Sequence, residues 1–343
     1  MTKKSEVIYD QKYREVLDHG FVGLVDTMGN DSAIVQAARV SYGQGTKSVL
    51  EDRGLIRYLM RHKHTSPFEM CQIKLHVKIP IFVMRQLVRH RTASLNEYSG
   101  RYSVMTDEFY LPEPDVILPQ SKDNKQGRSG EMSGPNAAGV RWMMETANNH
   151  SYDIYQALLG EKDPSKFSGG SEVIYDPYDE NDPLFDDDFN GIAREMARCV
   201  LPVANYTELY WTQNLHNMMH LLKLRMDKHA QYEVRVLADT IYELIKPIFP
   251  AALEAFDDYV REAKTLSRME IDLTKKLLSS KVSPAATFST LLLGYGSDKL
   301  LADEFGMSLR ELREYAETWG LPLYDEVNVS VDAPKRKART SST

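Results

Sequence analysis

Cysteine is scarce: Cys71 and Cys199 are the only two in 343 residues. That is too few for a disulfide scaffold and fits a reducing cytoplasm. No apolar run is long enough to cross a bilayer. The opening MTKKSEVIYDQKY has cations without an apolar segment behind them, so it does not read as a secretory signal. Positive charge is in deficit, with a formal net charge of −7, which argues against a general nucleic-acid binder. No Ser-His-Asp grouping, glycine-rich phosphate loop or internal repeat stands out. His216 and His220 are four apart, but Asn217 follows His216 and no third ligand is placed nearby, so no metal site is expected. Cys199 follows Arg198, a cation that favours thiolate. Its apolar surroundings nevertheless predict a buried, inert thiol. Chemistry here has to come from a cofactor.

What the sequence does contain is RHRTASLNEYSGRY, residues 89–102. Arg89, His90, Arg91 and Arg101 stand among Ser94, Asn96, Glu97 and Ser99. Guanidinium forks match phosphate oxygens, and hydroxyls with loop amides complete such cradles. In an acidic chain this density of cations is local and points to a small anion. On physical grounds alone, a surface ion-pair cluster and a phosphate or phosphosugar site stand about level.

The surrounding pattern predicts helices over 32–42 and 52–62, then a half-buried strand in CQIKLHVKI, where Ile73, Leu75, Val77 and Ile79 alternate with polar residues. Pro80 ends the strand and suits the first turn of a helix in IFVMRQLVRH. The quoted motif therefore begins at a helix C-terminus, and 100–106 is expected to return as a strand. Between about 113 and 190 the texture changes, and the chain reads as the loop QSKDNKQGRSGEMSGPNAAG, a helix in VRWMMETANNHSYDIYQALL, and a solvated acidic loop, DPYDENDPLFDDD. GIAREMARCVL predicts a helix ended by Pro202. A long helical region is expected from Thr207 to Ile245, with Leu215, Met218, Leu222, Met226, Val234, Leu237, Ile241 and Leu244 facing a core. Asn214, Arg225 and His229 would form a polar line along it. The domain division is placed at 1–279 and 280–343. The second part should hold two helices joined at Gly306, with Ser308 and Glu311 at capping-box spacing, followed by a solvated tail carrying KRKAR at 335–339.

RHR, seven residues and then serine resembles the signature of the flavin-dependent thymidylate synthases. AARVSY (37–42), HTSPFE (64–69), PIFVMRQLVRHR (80–91), AREMARCVLP (193–202) and NLHNMMHLLKLRMDKHAQYE (214–233) match the same family in the same order. The resemblance implies an α/β (α+β) fold with a mixed, mainly antiparallel sheet packed with long helices, assembled as a homotetramer with shared active sites. It implies conversion of dUMP to dTMP, with 5,10-methylenetetrahydrofolate as one-carbon donor and FAD, reduced by NADPH, as hydride source. No cysteine nucleophile is implied, and none lies in the motif. The stretch from about 113 to 190 is implied to be an insertion.

By resemblance, Ser41, Ser66, Arg89, His90, Arg91, Glu97, Asn214, His216 and His220 match flavin-contacting positions. Gln86, Arg89, Glu97, Ser99, Gly100, Arg101, Arg198 and Arg225 match the dUMP side, with Ser99, Gly100 and Arg101 reaching a neighbouring subunit. Arg225, facing the uracil ring, Ser99 and His64 are the catalytic candidates. His216 stands where the family often has arginine, and Met70 where many relatives have histidine. The rival readings are a hydroxymethylating enzyme on the same fold and a nucleic-acid-binding protein that uses the arginine loop and the basic tail.

Overall fold

The alternating stretch after Cys71 forms the central strand. In the computed structural model, which describes residues 12–40, 49–122, 127–163, 166–167, 188–278 and 283–327, β3 (Gln72–Pro80) fully buries Ile73, Leu75, Val77 and Ile79. Burying each such aliphatic side chain contributes roughly 1.5–3 kcal/mol. β3 pairs with β2 (Gly20–Met28) on one side and β5 (Tyr206–Asn214) on the other. β1 (Tyr13–Val16) and β4 (Ser94–Glu97) are the edges, in the order β1-β2-β3-β5-β4. Among the described residues every pairing is antiparallel, so the mixed sheet expected from sequence is corrected to a purely antiparallel one. The α+β layering is as expected.

Helices cover the apolar face. α4 (Ile81–Leu87), α7 (Leu215–Arg225) and α8 (Tyr232–Ile245) supply Val83, Met84, Leu87, Leu215, Met218, Leu222, Val234, Leu237 and Ile241 to one core with the inward strand residues. α1 (Asp31–Arg39), α2 (Val49–Arg61), α3 (Ser66–Glu69) and α9 (Pro250–Phe256) extend that core. The Asp31 carboxylate accepts from the Ala251 and Ala252 amides at 2.6 and 3.1 Å. It thereby satisfies donors that the first turn of α9 cannot pair internally.

Three expectations need correction. The helix expected from Thr207 is strand β5 up to Asn214: Leu209, Trp211 and Gln213 alternate inward, and pairing to both β3 and β4 outweighs helical continuity with α7. His229 lies in the loop between α7 and α8, so the polar line ends at Arg225; its Nδ1 contacts Asp227 Oδ1 at 2.9 Å. Residues 100–106 form tight turns, the Tyr102 and Ser103 amides both donating to Ser99 O, and the strand falls earlier, at β4.

The stretch 191–201 contains only the one-turn α6 (Arg194–Ala197) and a 3-10 turn over Arg198–Val200. Ala197 is buried there, whereas Cys199 is exposed, contrary to the burial expected of it. Within 113–190, α5 (Gly134–Leu158) starts before the predicted helix, capped by Ser133. Its Tyr152 and Tyr155 pack with Met105, Phe109 and Ala197. The Met105 amide donates to the Tyr155 hydroxyl at 3.1 Å, and the Tyr152 hydroxyl donates to Met105 O at 3.2 Å. α5 thus fastens the turn that follows the motif.

The chain divides after Glu262, not after 279. In the second unit α10 (Arg268–Leu278) packs Leu273 and Leu277 with α11 (Pro284–Tyr295), α12 (Asp298–Glu304) and α13 (Leu309–Trp319), so it belongs with those helices. Gly306, at φ +68°, lies between α12 and α13, and the capping box at Ser308 and Glu311 is formed. The KRKAR tail and most of the acidic loop lie outside the described residues.

Candidate active site

Arg225 ends α7 facing the C-terminal end of α4. Its Nε donates to His90 Nε2 at 3.2 Å, Nη2 to the Gln86 carbonyl oxygen at 3.3 Å and Nη1 to Gln86 Oε1 at 3.5 Å. All three acceptors are neutral, so the positive charge is oriented without being cancelled. Partial burial pulls the guanidinium below its usual pKa. A half-buried cation in that state gains most from an anionic or carbonyl partner.

Burial, then Arg225, then His220 push His90 down to about 4. The His220 ring lies edge-on, 5.9 Å away. Because Nε2 accepts from Arg225, neutral His90 carries its proton on Nδ1. Its folded-state value lies below that of a free imidazole, so the stability it contributes is present above about pH 6.5. That contribution is lost as pH falls through about 4. Nitrogen NMR of the ligand-free protein should show His90 as the neutral Nδ1–H form at pH 5.5. An imidazolium signal there would remove it as Arg225's acceptor.

A second group forms around the turn after β4. A Cβ placed on Gly100 would lie 2.9 Å from Met105 Sδ and 3.2 Å from Arg198 Cδ, so the absence of a side chain lets Arg198 close on the motif backbone. The Arg101 amide donates to Ser99 Oγ at 3.3 Å, and Arg101 Nε lies 3.4 Å from Glu195. Both side chains of that pair are more than half exposed, so it contributes little and yields readily to a ligand. Glu97 accepts from the Thr207 hydroxyl at 2.7 Å at the end of β4. Among the described residues no hydrogen bond or ion pair joins this group to the one around Arg225.

Arg89 and Arg91 are exposed just beyond α4. Asn214 caps α7 by accepting from the Asn217 amide at 2.9 Å, which places His216 in the first turn and His220 one turn on. Ser66 opens the short α3, and exposed His64 stacks on Tyr58 at 6.0 Å. Ser41 lies outside the described residues. Among those described, no three His, Cys, Asp or Glu side chains cluster as a metal site would require. Sequence reasoning missed Gln231, whose Oε1 accepts from Gln86 Nε2 at 2.6 Å and so turns the Gln86 carbonyl toward Arg225. It also missed Tyr152 and Tyr155, which act from α5.

A family model described as thymidylate synthase complementing protein matches residues 23–251, which take in both groups. The chain belongs to this family. A flavin-dependent thymidylate synthase of Rickettsia bellii is 47% identical over 277 residues, covering 80% of this chain and 88% of the relative. One from Ruegeria pomeroyi is 45% identical over 305 residues, 89% of this chain and 87% of its own. Among solved structures, a UMP/dUMP methylase, PolB, of Streptomyces cacaoi bound with 5-Br UMP superposes with a TM-score of 0.58 at 33% identity. It spans 72% of this chain and 97% of that one. The family match ends within α9, so the second unit lies beyond it. No helix among the described residues is long and apolar enough to cross a membrane.

Proposed function

We propose that the protein is a flavin-dependent thymidylate synthase that methylates dUMP to dTMP. In this reading 5,10-methylenetetrahydrofolate is the one-carbon donor, FAD the cofactor and NADPH its reductant. The enzyme works in the cytoplasm as a homotetramer with shared active sites. The observation that carries the reading is Arg225, held by Gln86 and His90 with its charge uncancelled. Curated relatives named for this activity support it.

Arg225 faces the uracil ring and stabilises negative charge as N3 ionises; an arginine stays protonated while that charge develops. Gln86 positions it. Ser99, the Gly100 backbone, Arg101 and Arg198 form the nucleotide cradle, and Glu97 borders it. The cation-rich set fits a flavin dinucleotide: exposed Arg89 and Arg91 suit its phosphates, with Ser41, Ser66, His90, Glu97, Asn214, His216 and His220 completing the contacts. When bound, the flavin supplies the reducing hydride. His64 would lie near the flavin and the folate.

Incubation of the protein with dUMP, methylenetetrahydrofolate and NADPH, with mass spectrometry of the pyrimidine, tests the reaction. dTMP is the expected product; 5-hydroxymethyl-dUMP would establish the rival chemistry. Arg101→Ala should weaken dUMP binding by roughly 10-fold or more, the scale of one charged hydrogen bond, in calorimetric titration. Unchanged affinity would contradict the phosphate contact. If sites are shared, mixing the impaired Arg101→Ala and Arg225→Ala subunits under conditions that exchange them, at dUMP too dilute to saturate the Arg101 variant, should restore part of the activity, because some sites then receive both wild-type groups.

A further inference from the structure

We infer that α11, α12 and α13 form a duplex-DNA-binding helix–turn–helix, a second function carried by a unit outside the family match. The turn between α12 and α13 spans Phe305–Ser308, with Gly306 in the left-handed region. Motifs that place a second helix in the major groove use a three- or four-residue turn of this kind, often with glycine. The Met307 amide donates back to Ala302 O at 2.9 Å, and Ser308 with Glu311 closes the start of α13, so the turn is rigid. Leu301, Ala302, Met307, Leu312, Tyr315 and Ala316 are buried with Phe288 and Leu292 of α11. The inward faces are therefore fixed by packing, and what remains outside is set by helical spacing.

The outward face of α13 holds Arg310, Arg313 and Glu314, spaced three and four apart on one side of the helix. The Arg310 side chain is 89% exposed and that of Arg313 55% exposed. Both arginines lie in the first turns of α13, the part of a recognition helix that reaches base edges, while Glu317 lies further along. Arg310 Nε donates to Glu314 at 2.8 Å, and Arg313 Nη2 lies 3.7 Å from Asp298. The Arg310–Glu314 pair is exposed and worth little, whereas Asp298 is buried and also accepts from the Tyr324 amide at 2.9 Å. Arginine reads guanine O6 and N7 with two donors, and a glutamate accepts from cytosine N4, so the face suits a G·C-containing site. α13 carries Glu311, Glu314 and Glu317 beside its two arginines, so phosphate attraction is small and the preference has to come from base edges.

The full-length protein is incubated with a pool of duplexes carrying a random 20-base-pair core, and bound DNA is sequenced over successive rounds. Enrichment of one G·C-containing motif is expected, with salt-sensitive binding of it in fluorescence anisotropy. Arg310→Ala/Arg313→Ala should weaken that binding at least about 10-fold. Arg310→Lys/Arg313→Lys should keep phosphate attraction and lose the motif preference. Asp298 keeps the Tyr324 amide when Arg313 is replaced, and the lysine variant keeps the cation, so its circular dichroism and dTMP synthesis should be unchanged and its loss of motif preference is independent of the proposed enzyme activity. No enrichment, a motif kept by the alanine variant, preference for RNA or single strands, or self-association through α13 in place of DNA binding would each overturn the inference.

Discussion

Replacing Arg225 with alanine is expected to lower turnover about 10²- to 10³-fold, the range seen when a preorganised donor to developing charge is removed, while flavin stays bound. Arg225 is held by a main-chain carbonyl, an amide oxygen and an imidazole nitrogen, so its orientation is set before any ligand arrives. No carboxylate among these partners competes for its charge. The loss should appear in kcat as much as in kcat/KM, because the interaction strengthens as the ring becomes negative. Gln231→Ala serves as the control. It removes only the acceptor that turns Gln86 and leaves the Gln86 main-chain carbonyl and His90 in place, so a much smaller loss is expected. Wild-type turnover in the Arg225 variant, followed by flavin reoxidation in stopped flow, would end its assigned role.

The second large effect concerns stability. Glu233 is 2% exposed and accepts from Arg128 Nη2 at 3.0 Å and from the Tyr110 hydroxyl at 3.1 Å. Removing one partner of a buried pair leaves an uncompensated charge. Arg128→Ala should therefore cost about 3 kcal/mol in urea unfolding. Glu233→Gln alone leaves an amide that still bonds Tyr110, so it should cost less. The double variant should be more stable than the sum of the two single losses implies, because no orphan carboxylate remains. Strict additivity would show that the pair is not coupled.

How far the sequence could be read depended on whether the deciding contact was local. β3 was legible because Ile73, Leu75, Val77 and Ile79 report a two-sided strand within nine residues. β5 was missed because its inward set includes polar Gln213 and its outward set includes Tyr210, and apolar α7 follows at once. Asn214 was the available signal, since an asparagine three residues before a free amide marks a helix start. Arg225 and His90 stood out as part of a polar line and a cation cluster, and Gln86 was named from resemblance. Their hydrogen bonding spans up to 139 residues and emerges only in three dimensions. Gln231, 145 residues from Gln86, left no local trace at all. Cys199 was misplaced because its apolar neighbours predict a longer helix than α6, whose single turn buries only Ala197. The boundary at Glu262 was misread for a similar reason: α10 looks amphipathic by itself, and nothing local says which core receives Leu273 and Leu277.

The tyrosines of α5 bear on any attempt to trim the protein to its smallest working size. Residues 134–158 carry none of the groups assigned to ligand, and by length they look dispensable. Yet Met105 hangs from Tyr155 and Tyr152, and Gly100 rests against Met105. A shortened chain would retain every arginine of the cradle and lose the anchor that seats Gly100 against Met105 and Arg198.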